Sequence, residues 1–300
     1  MSVDVSALDA RDVFRRSRKF DLIYKLHLAK VWAGGDGEAI RRAEVDYLEM
    51  QRARFAFFEN TPRRTRPEDF VSAFRRVADS IRADGFSPEA PPVHLEAGTL
   101  ELIDGHHRLA CCLAYGKPCR FAYGEPKKRE RLIATFRTFR ESAIAPSVEN
   151  RGVRAYLDDN ERARIIETPA QPGEDEEAAI ARVERDTHGL VWHASRHGNV
   201  FVFVLSFPEG VPDCAGSREM SLARAAELFP ELPDPDWRAR AHAAPRWRWR
   251  FKRLKYALTL PFRFGRKREK AKWHLAELAC QACAYERLAD YVEEHHRVRT

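Results

Sequence analysis

Residues 102–108 read Leu-Ile-Asp-Gly-His-His-Arg. An acid, two imidazoles and a guanidinium fall within five residues, grouped about one glycine. That set suits phosphate binding if it stands where a strand hands over to a helix. A helix start presents backbone N–H groups with no intrahelical acceptor, together with the positive end of the helix dipole. Phosphate binds to such a start. Asp104-Gly105 alone has a plain structural reading, a turn whose aspartate caps the next helix. Two adjacent histidines followed by Arg108 are less easily explained by structure.

The flanking residues place the set at such a junction. Thr99–Ile103 is rich in β-branched and apolar residues, as a buried strand is. Asp104-Gly105 is a turn signal, and Gly105 lets backbone approach a ligand closely. From His107 the apolar residues Leu109, Ala110, Leu113 and Ala114 recur at helical spacing, and Gly116 and Pro118 stop that helix. Cys119–Tyr123 reads as the next strand. Upstream, Pro67, Glu68 and Asp69 suit a helix start, and Phe70, Phe74, Val77, Ala78 and Ile81 make one apolar face closed by Gly85. Val93-His94-Leu95 then forms a strand that turns at Ala97-Gly98.

This order of loop, helix, hairpin, turn, helix and strand resembles the ParB/sulfiredoxin superfamily over about residues 58–125. Three motifs carry the resemblance: Glu59-Asn60-Thr61-Pro62-Arg63, Asp79-Ser80-Ile81-Arg82-Ala83-Asp84-Gly85, and Ile103-Asp104-Gly105-His106-His107-Arg108-Leu109-Ala110. Sulfiredoxins carry Cys directly before the His-Arg pair; this chain has His106 there. ParB proteins grip CTP with Gly-Glu-Arg-Arg, and Gly105-His106-His107-Arg108 lacks that Glu and one Arg. The free-serine kinases of the superfamily use Asp-Gly-His-His-Arg, matched here in full.

The resemblance implies a nucleotide-dependent phosphotransferase acting on a hydroxyl of a small molecule, an amino acid or a sugar. ATP or another nucleotide, with Mg²⁺, is the implied cofactor. Phosphoryl transfer needs held phosphates, compensated charge and an oriented, deprotonated hydroxyl. The amides of Gly105, His106 and His107 and the Arg108 side chain would bind the nucleotide, with His106 and His107 donating to the transferred group. Asp104 would bind Mg²⁺ or position the acceptor hydroxyl. Glu59, in the leading loop, would be the general base, with Glu68 as second candidate. The alternative is a non-catalytic ParB-like module that binds a nucleotide or nucleic acid, although no helix-turn-helix is recognisable after residue 125.

The expected class is α+β in four parts. Residues 1–57 form an N-terminal helical segment, broken at Gly34-Gly35-Asp36-Gly37, with a second helix over Glu38–Phe58. Residues 58–125 form the ParB/sulfiredoxin-like domain. Residues 126–240 form an α+β region. It holds a helix over Leu132–Arg140, a polar linker over Thr168–Glu177 and a helix over Ala178–Thr187. A hairpin of Leu190–Ala194 with Asn199–Phe207 follows, then a helix over Ser221–Leu228 capped by Ser221. Residues 241–300 hold a basic aromatic segment and a C-terminal helix. His188, His193 and His197 read as structural histidines, because a strand and its turn would not put them on one face. Cys280 and Cys283 have the spacing of half a zinc site, but the helical pattern around them favours buried thiols.

Composition bounds the rest. With 44% apolar residues in 300, a sizeable core forms. No run of about 18 apolar residues predicts a transmembrane helix, and Met1–Val5 lacks a signal pattern. Six cysteines suit a reducing compartment. The expectation is a cytoplasmic protein of bacterial type. Charge is uneven. Arg246–Lys272 carries twelve Lys or Arg against the single acid Glu269, while the whole chain is only +7. Trp247, Trp249, Phe251, Tyr256, Phe262 and Phe264 are interleaved with it. That mixture suits peripheral contact with an anionic membrane, such as the inner membrane face. Single-stranded nucleic acid is a lesser candidate. A solvated basic segment whose rings pack on the body is the plain alternative.

Overall fold

The computed structural model describes residues 8–55, 66–124, 136, 144–232 and scattered positions between 254 and 292. Its architecture is α+β, with eight helices and two three-stranded sheets among those residues, apart from one 3₁₀ turn. Three helices come first: α1 (Ala10–Arg16), α2 (Asp21–Gly34) and α3 (Gly37–Phe55). Asp9 caps α1 by accepting from Arg11 N at 2.9 Å. Asp36 caps α3 by accepting from Glu38 N and Ala39 N. The predicted break at Gly34–Gly37 is the tight link between α2 and α3. Helix α2 is buried on nearly every side over Asp21–Leu26, because α3 and a later helix over His106–Tyr115 pack on it.

Helix α4 (Pro67–Asp84) follows its sequence signals closely. Pro67 stands in the first turn with Glu68 and Asp69, Phe70, Phe74, Ala78 and Ile81 are buried, and Gly85 closes the helix at φ +76°. Strand β1 (Val93–Glu96) then pairs antiparallel with β2 (Leu102–Asp104), with His94 opposite Asp104 and Leu95 opposite Leu102. The strand expected at Thr99–Ile103 begins later, because Leu100 adopts φ +58° and keeps Thr99 and Leu100 in the turn. Helix α5 (His106–Tyr115) crosses back to β3 (Phe121–Gly124), which lies parallel to β1. The first sheet has the order β2-β1-β3.

The second unit begins with α6 (Pro146–Asp159), which had no counterpart in the sequence reading. Strand β4 (Ala163–Pro169) was also missed: its last two residues fall in the stretch expected to be a linker. Helix α7 (Glu176–Thr187) starts two residues before the expected Ala178, capped by Asp175 accepting from Ala178 N at 2.8 Å. The predicted hairpin is present as β5 (Leu190–His197) and β6 (Val200–Ser206), turning at Gly198 with φ +62°. The second sheet is antiparallel, in the order β4-β6-β5. A bulge in β5 at Trp192 frees its indole to stack on Tyr156 of α6, with centroids 3.8 Å apart. Helix α8 (Arg218–Leu228) is capped by Ser217, not by Ser221. Ser221 is buried and accepts instead from Ile165 N of β4 at 3.2 Å.

One contiguous core joins the two sheets, running from Val13 and Phe14 through α2 and α5 to Phe201–Leu205. Among the described residues no helix is long and apolar enough to cross a membrane. The expected helix over Leu132–Arg140 apart from Phe136, the Cys280–Cys283 pair and most of Arg246–Lys272 lie outside the described residues.

Candidate anion site at the start of helix α5

The turn from β2 into α5 is built by Gly105, which caps the helix in the left-handed region at φ +94°. A Cβ there would stand 3.0 Å from the Val93 Cα and 3.3 Å from Arg108 Nη2. Only glycine fits that close pass over β1. Asp104 does not cap the helix in the expected way. Its Oδ1 accepts from the adjacent Gly105 N at 2.7 Å, and its side chain is 71% exposed. Arg108 folds back over the turn, with Nη2 3.8 Å from Asp104 Oδ2. The first-turn amides of His106, His107 and Arg108 thus start a helix that no side chain caps.

The two histidines diverge. His106 turns toward α2, with Nε2 3.9 Å from Oδ1 of Asp21. His107 turns toward α3 and α4: its Nε2 is hydrogen-bonded to the Tyr47 hydroxyl at 3.2 Å, and its ring lies 4.5 Å from the Phe74 ring. Both are half-buried. They hold the helix start to the three helices beneath it, while Asp104 faces solvent.

Charged residues of α2 and α3 support this floor. Asp21 accepts from Lys25 one turn along α2, and both side chains are essentially sequestered from solvent. Two residues beyond Tyr47, Glu49 pairs with Arg52 in a two-point contact at 2.5 Å, also buried. Glu49 further accepts from Ala145 N at 3.3 Å. Desolvating such pairs costs more than their attraction returns unless geometry is very good. The buried Asp21–Lys25 pair, beside His106, is therefore a candidate for function, whereas Glu49–Arg52 faces the start of the second unit at Ala145. Sequence reasoning overlooked Asp21, Lys25, Tyr47, Glu49 and Arg52. The available signal was the Asp-Lys pair at i,i+4 inside the apolar run Phe20–Leu28.

The remaining candidates can be placed briefly. Glu59 lies outside the described residues. Glu68 is exposed on the first turn of α4, near Arg66. Cys111 and Cys112 are buried in the core, and burial raises the Cys111 thiol well above its ordinary value. A thiol hydrogen bond to Cys119 lowers Cys112 and raises Cys119. His193 is buried and has an acidic partner that the sequence spacing did not reveal, Glu149 of α6 at 2.8 Å. Among the described residues no cluster of three His, Cys, Asp or Glu side chains is placed to hold a metal ion.

An anion with two or more oxygens fits the geometry at α5. The glycine allows close approach, the first-turn amides donate, and Arg108 adds a forked donor. Mg²⁺ also fits on chemical grounds. It keeps several waters and takes one or two carboxylates plus substrate phosphates, so the single exposed Asp104 suffices. No family model matches the chain, and neither the curated proteins nor the solved structures include a detectable relative.

Proposed function

We propose that this protein is a nucleotide-dependent phosphotransferase, taking ATP or another nucleotide with Mg²⁺ and acting on a hydroxyl of a small molecule. The domain that carries the site is read as ParB/sulfiredoxin-like. The observation that carries the reading is the Gly105 turn: a left-handed glycine against β1, an uncapped helix start, and Asp104 and Arg108 beside each other at its mouth. The antiparallel hairpin, crossing helix and parallel third strand support the domain reading.

In this reading the amides of His106 and His107 and the Arg108 guanidinium hold the nucleotide phosphates in line, whereas the Gly105 amide, expected to join them, is donated to Asp104 Oδ1. Mg²⁺, when bound, compensates phosphate charge. Asp104 holds it or orients the acceptor hydroxyl. Glu59 accepts the hydroxyl proton as the oxygen attacks the terminal phosphorus, and the bond to the bridging oxygen breaks, its electron pair leaving on the shortened nucleotide. The histidines have a narrower role than their sequence suggested. Nε2 of His107 is hydrogen-bonded to Tyr47 and that of His106 faces Asp21, so neither Nε2 is turned to a phosphoryl group. Their engagement from below also favours a second reading, a ParB-like module that binds a nucleotide without turnover.

A thermal-shift screen of nucleotides with Mg²⁺ tests both, since a ligand selective for the folded state raises the melting temperature. If none shifts the full chain, both readings fall. If one does, hydroxyl-dependent release of the dephosphorylated nucleotide separates them. Turnover that drops at least 100-fold in Asp104→Asn and Glu59→Gln, with nucleotide binding retained, supports the enzyme.

A further inference from the structure

A second concavity lies on the far side of the α2–α3 pair. It is a cleft of 730 Å³ walled by α2, α3 and α6, with Glu231 at its margin. Tyr24 and Asp46 line it, whereas their chain neighbours Lys25 and Tyr47 belong to the floor of the α5 site. The two sites therefore share no residue. The volume falls within the roughly 300–1,000 Å³ of small-molecule sites.

Its walls are built to stay open. Gly152 of α6 passes so close to Tyr24 that a Cβ would meet the phenol oxygen at 2.4 Å. Tyr24 in turn donates to the Val148 carbonyl at 3.0 Å. Arg151 grips Asp46 through two hydrogen bonds, at 2.8 and 2.6 Å. Lys30 pairs with Asp159 and Arg42 with Glu231, tying opposite walls together. Ile23, Val31, Ala39 and Ala155 supply apolar surface.

The charge balance selects the ligand. Among the described residues six carboxylates line the cleft: Asp36, Glu38, Asp46, Asp158, Asp159 and Glu231. Four basic side chains oppose them: Lys30, Arg42, Arg151 and Arg154. In a chain whose overall charge is +7, this cleft is net acidic by two. Three of the four bases are already closed on carboxylates of the cleft itself, so an entering anion would meet an unfavourable field. We infer that this cleft binds a small organic cation, a molecule bearing one or more protonated amines on a compact, partly apolar body.

His27 gives this site a pH dependence. Its ring lines the cleft, facing Lys30 on its own helix, Asp46 of α3, and Arg151 and Asp159 of α6. The ring is open to the cleft mouth, and desolvation by the surrounding walls lowers its proton affinity against the pull of Asp46 and Asp159. As pH falls into the acid range, protonation adds a positive charge and opposes the amine.

The test uses the full chain at constant ionic strength, with spermidine and glucosamine as amine probes and citrate, inorganic phosphate and glucose as controls. At least one amine should raise the melting temperature saturably, and calorimetry should give matching affinity on the folded protein at 20 °C. Asp158→Asn should weaken that affinity at least tenfold, and Arg154→Gln should tighten it severalfold. His27→Gln should flatten its loss at acid pH, and Asp104→Asn should leave it unchanged. The inference is overturned if neither amine binds saturably, if citrate or phosphate binds in their place, or if Asp158→Asn and Arg154→Gln have no effect on the folded protein. Loss of binding in Asp104→Asn would assign the ligand to the α5 site instead.

Discussion

At the scale of residues, Gly105 and Asp104 illustrate two kinds of importance. Gly105 is required by geometry: φ +94° and a Cβ 3.0 Å from Val93 Cα make any side chain strained. Gly105→Ala should destabilise the fold by about 1–3 kcal/mol in denaturant titration and also erase any nucleotide-induced thermal shift. Asp104 is largely exposed, so Asp104→Asn should change stability by less than about 0.5 kcal/mol whatever it does to activity. Asp21 behaves differently again. Asp21→Ala takes from the buried Lys25 the carboxylate it is bonded to and should cost about 3–5 kcal/mol, most of it recovered in Asp21→Ala with Lys25→Met. The surface pair Lys30–Asp159 should cost under about 1 kcal/mol when broken. Glu174 provides a pH marker. Its hydrogen bonds from Arg182 and from Gln171 N lower its carboxyl to about 2. A depressed carboxylate contributes stability above its unfolded value, near 4.5, and loses that contribution as pH falls toward 2. Carbon-detected NMR should place its titration midpoint near 2, returning toward the ordinary range in Arg182→Gln. The Asp104–Arg108 cluster was readable from residue types alone. Asp21 and Lys25 were not, because a charged pair at i,i+4 is ordinarily a solvated helix face.

At the scale of elements, local signals worked where capping and turn chemistry decide the outcome. Pro67 and Gly85 bound α4, and Gly198 turns the β5–β6 hairpin, as their types require. They failed where packing decides. Strand β4 reads as polar and proline-bearing, yet it pairs along its whole length with β6, which is buried almost throughout. Helix α6 carries charged residues at many positions, and it is fixed by contacts that no local pattern reports. The clearest of these is Gly152 against Tyr24. Gly152→Ala should therefore cost about 1–3 kcal/mol by overpacking. Adding Tyr24→Phe should offset part of that cost, so the double variant is less unstable than the two single changes predict. Chemical denaturation of the four proteins of that cycle checks it. Ser221 gives the same lesson in miniature. It looks like a helix cap, but packing against β4 recruits its hydroxyl for Ile165 N, and Ser217 caps the helix instead.

At the scale of the whole molecule, α2 is the shared element between the two sheets. It packs on α5 of the first unit and, through Tyr24, on α6 of the second. With one core running through both, unfolding should be a single transition among the described parts. Phe203→Ala in β6 and Leu109→Ala in α5 should each remove about 2–5 kcal/mol. Each should move the far-UV circular dichroism and tryptophan-fluorescence midpoints together, because Trp32 packs on Phe74 in the first unit and Trp192 on both Phe20 and Tyr156. Divergent midpoints would mean that the units unfold separately. The amino-acid order was enough to determine the α+β class, the helix limits set by glycine and proline, the hairpin, and a strand-to-helix turn at residues 104–108. All of these depend on backbone conformation and residue type within a few positions. Tertiary structure alone decided that α2 is central, that its Asp21–Lys25 pair lies beneath the histidines, that Tyr47 holds His107, and that an acidic cleft opens behind them. Each of these depends on residues far apart in the chain meeting in a core, where burial can hold a charge that local propensity would have sent to water.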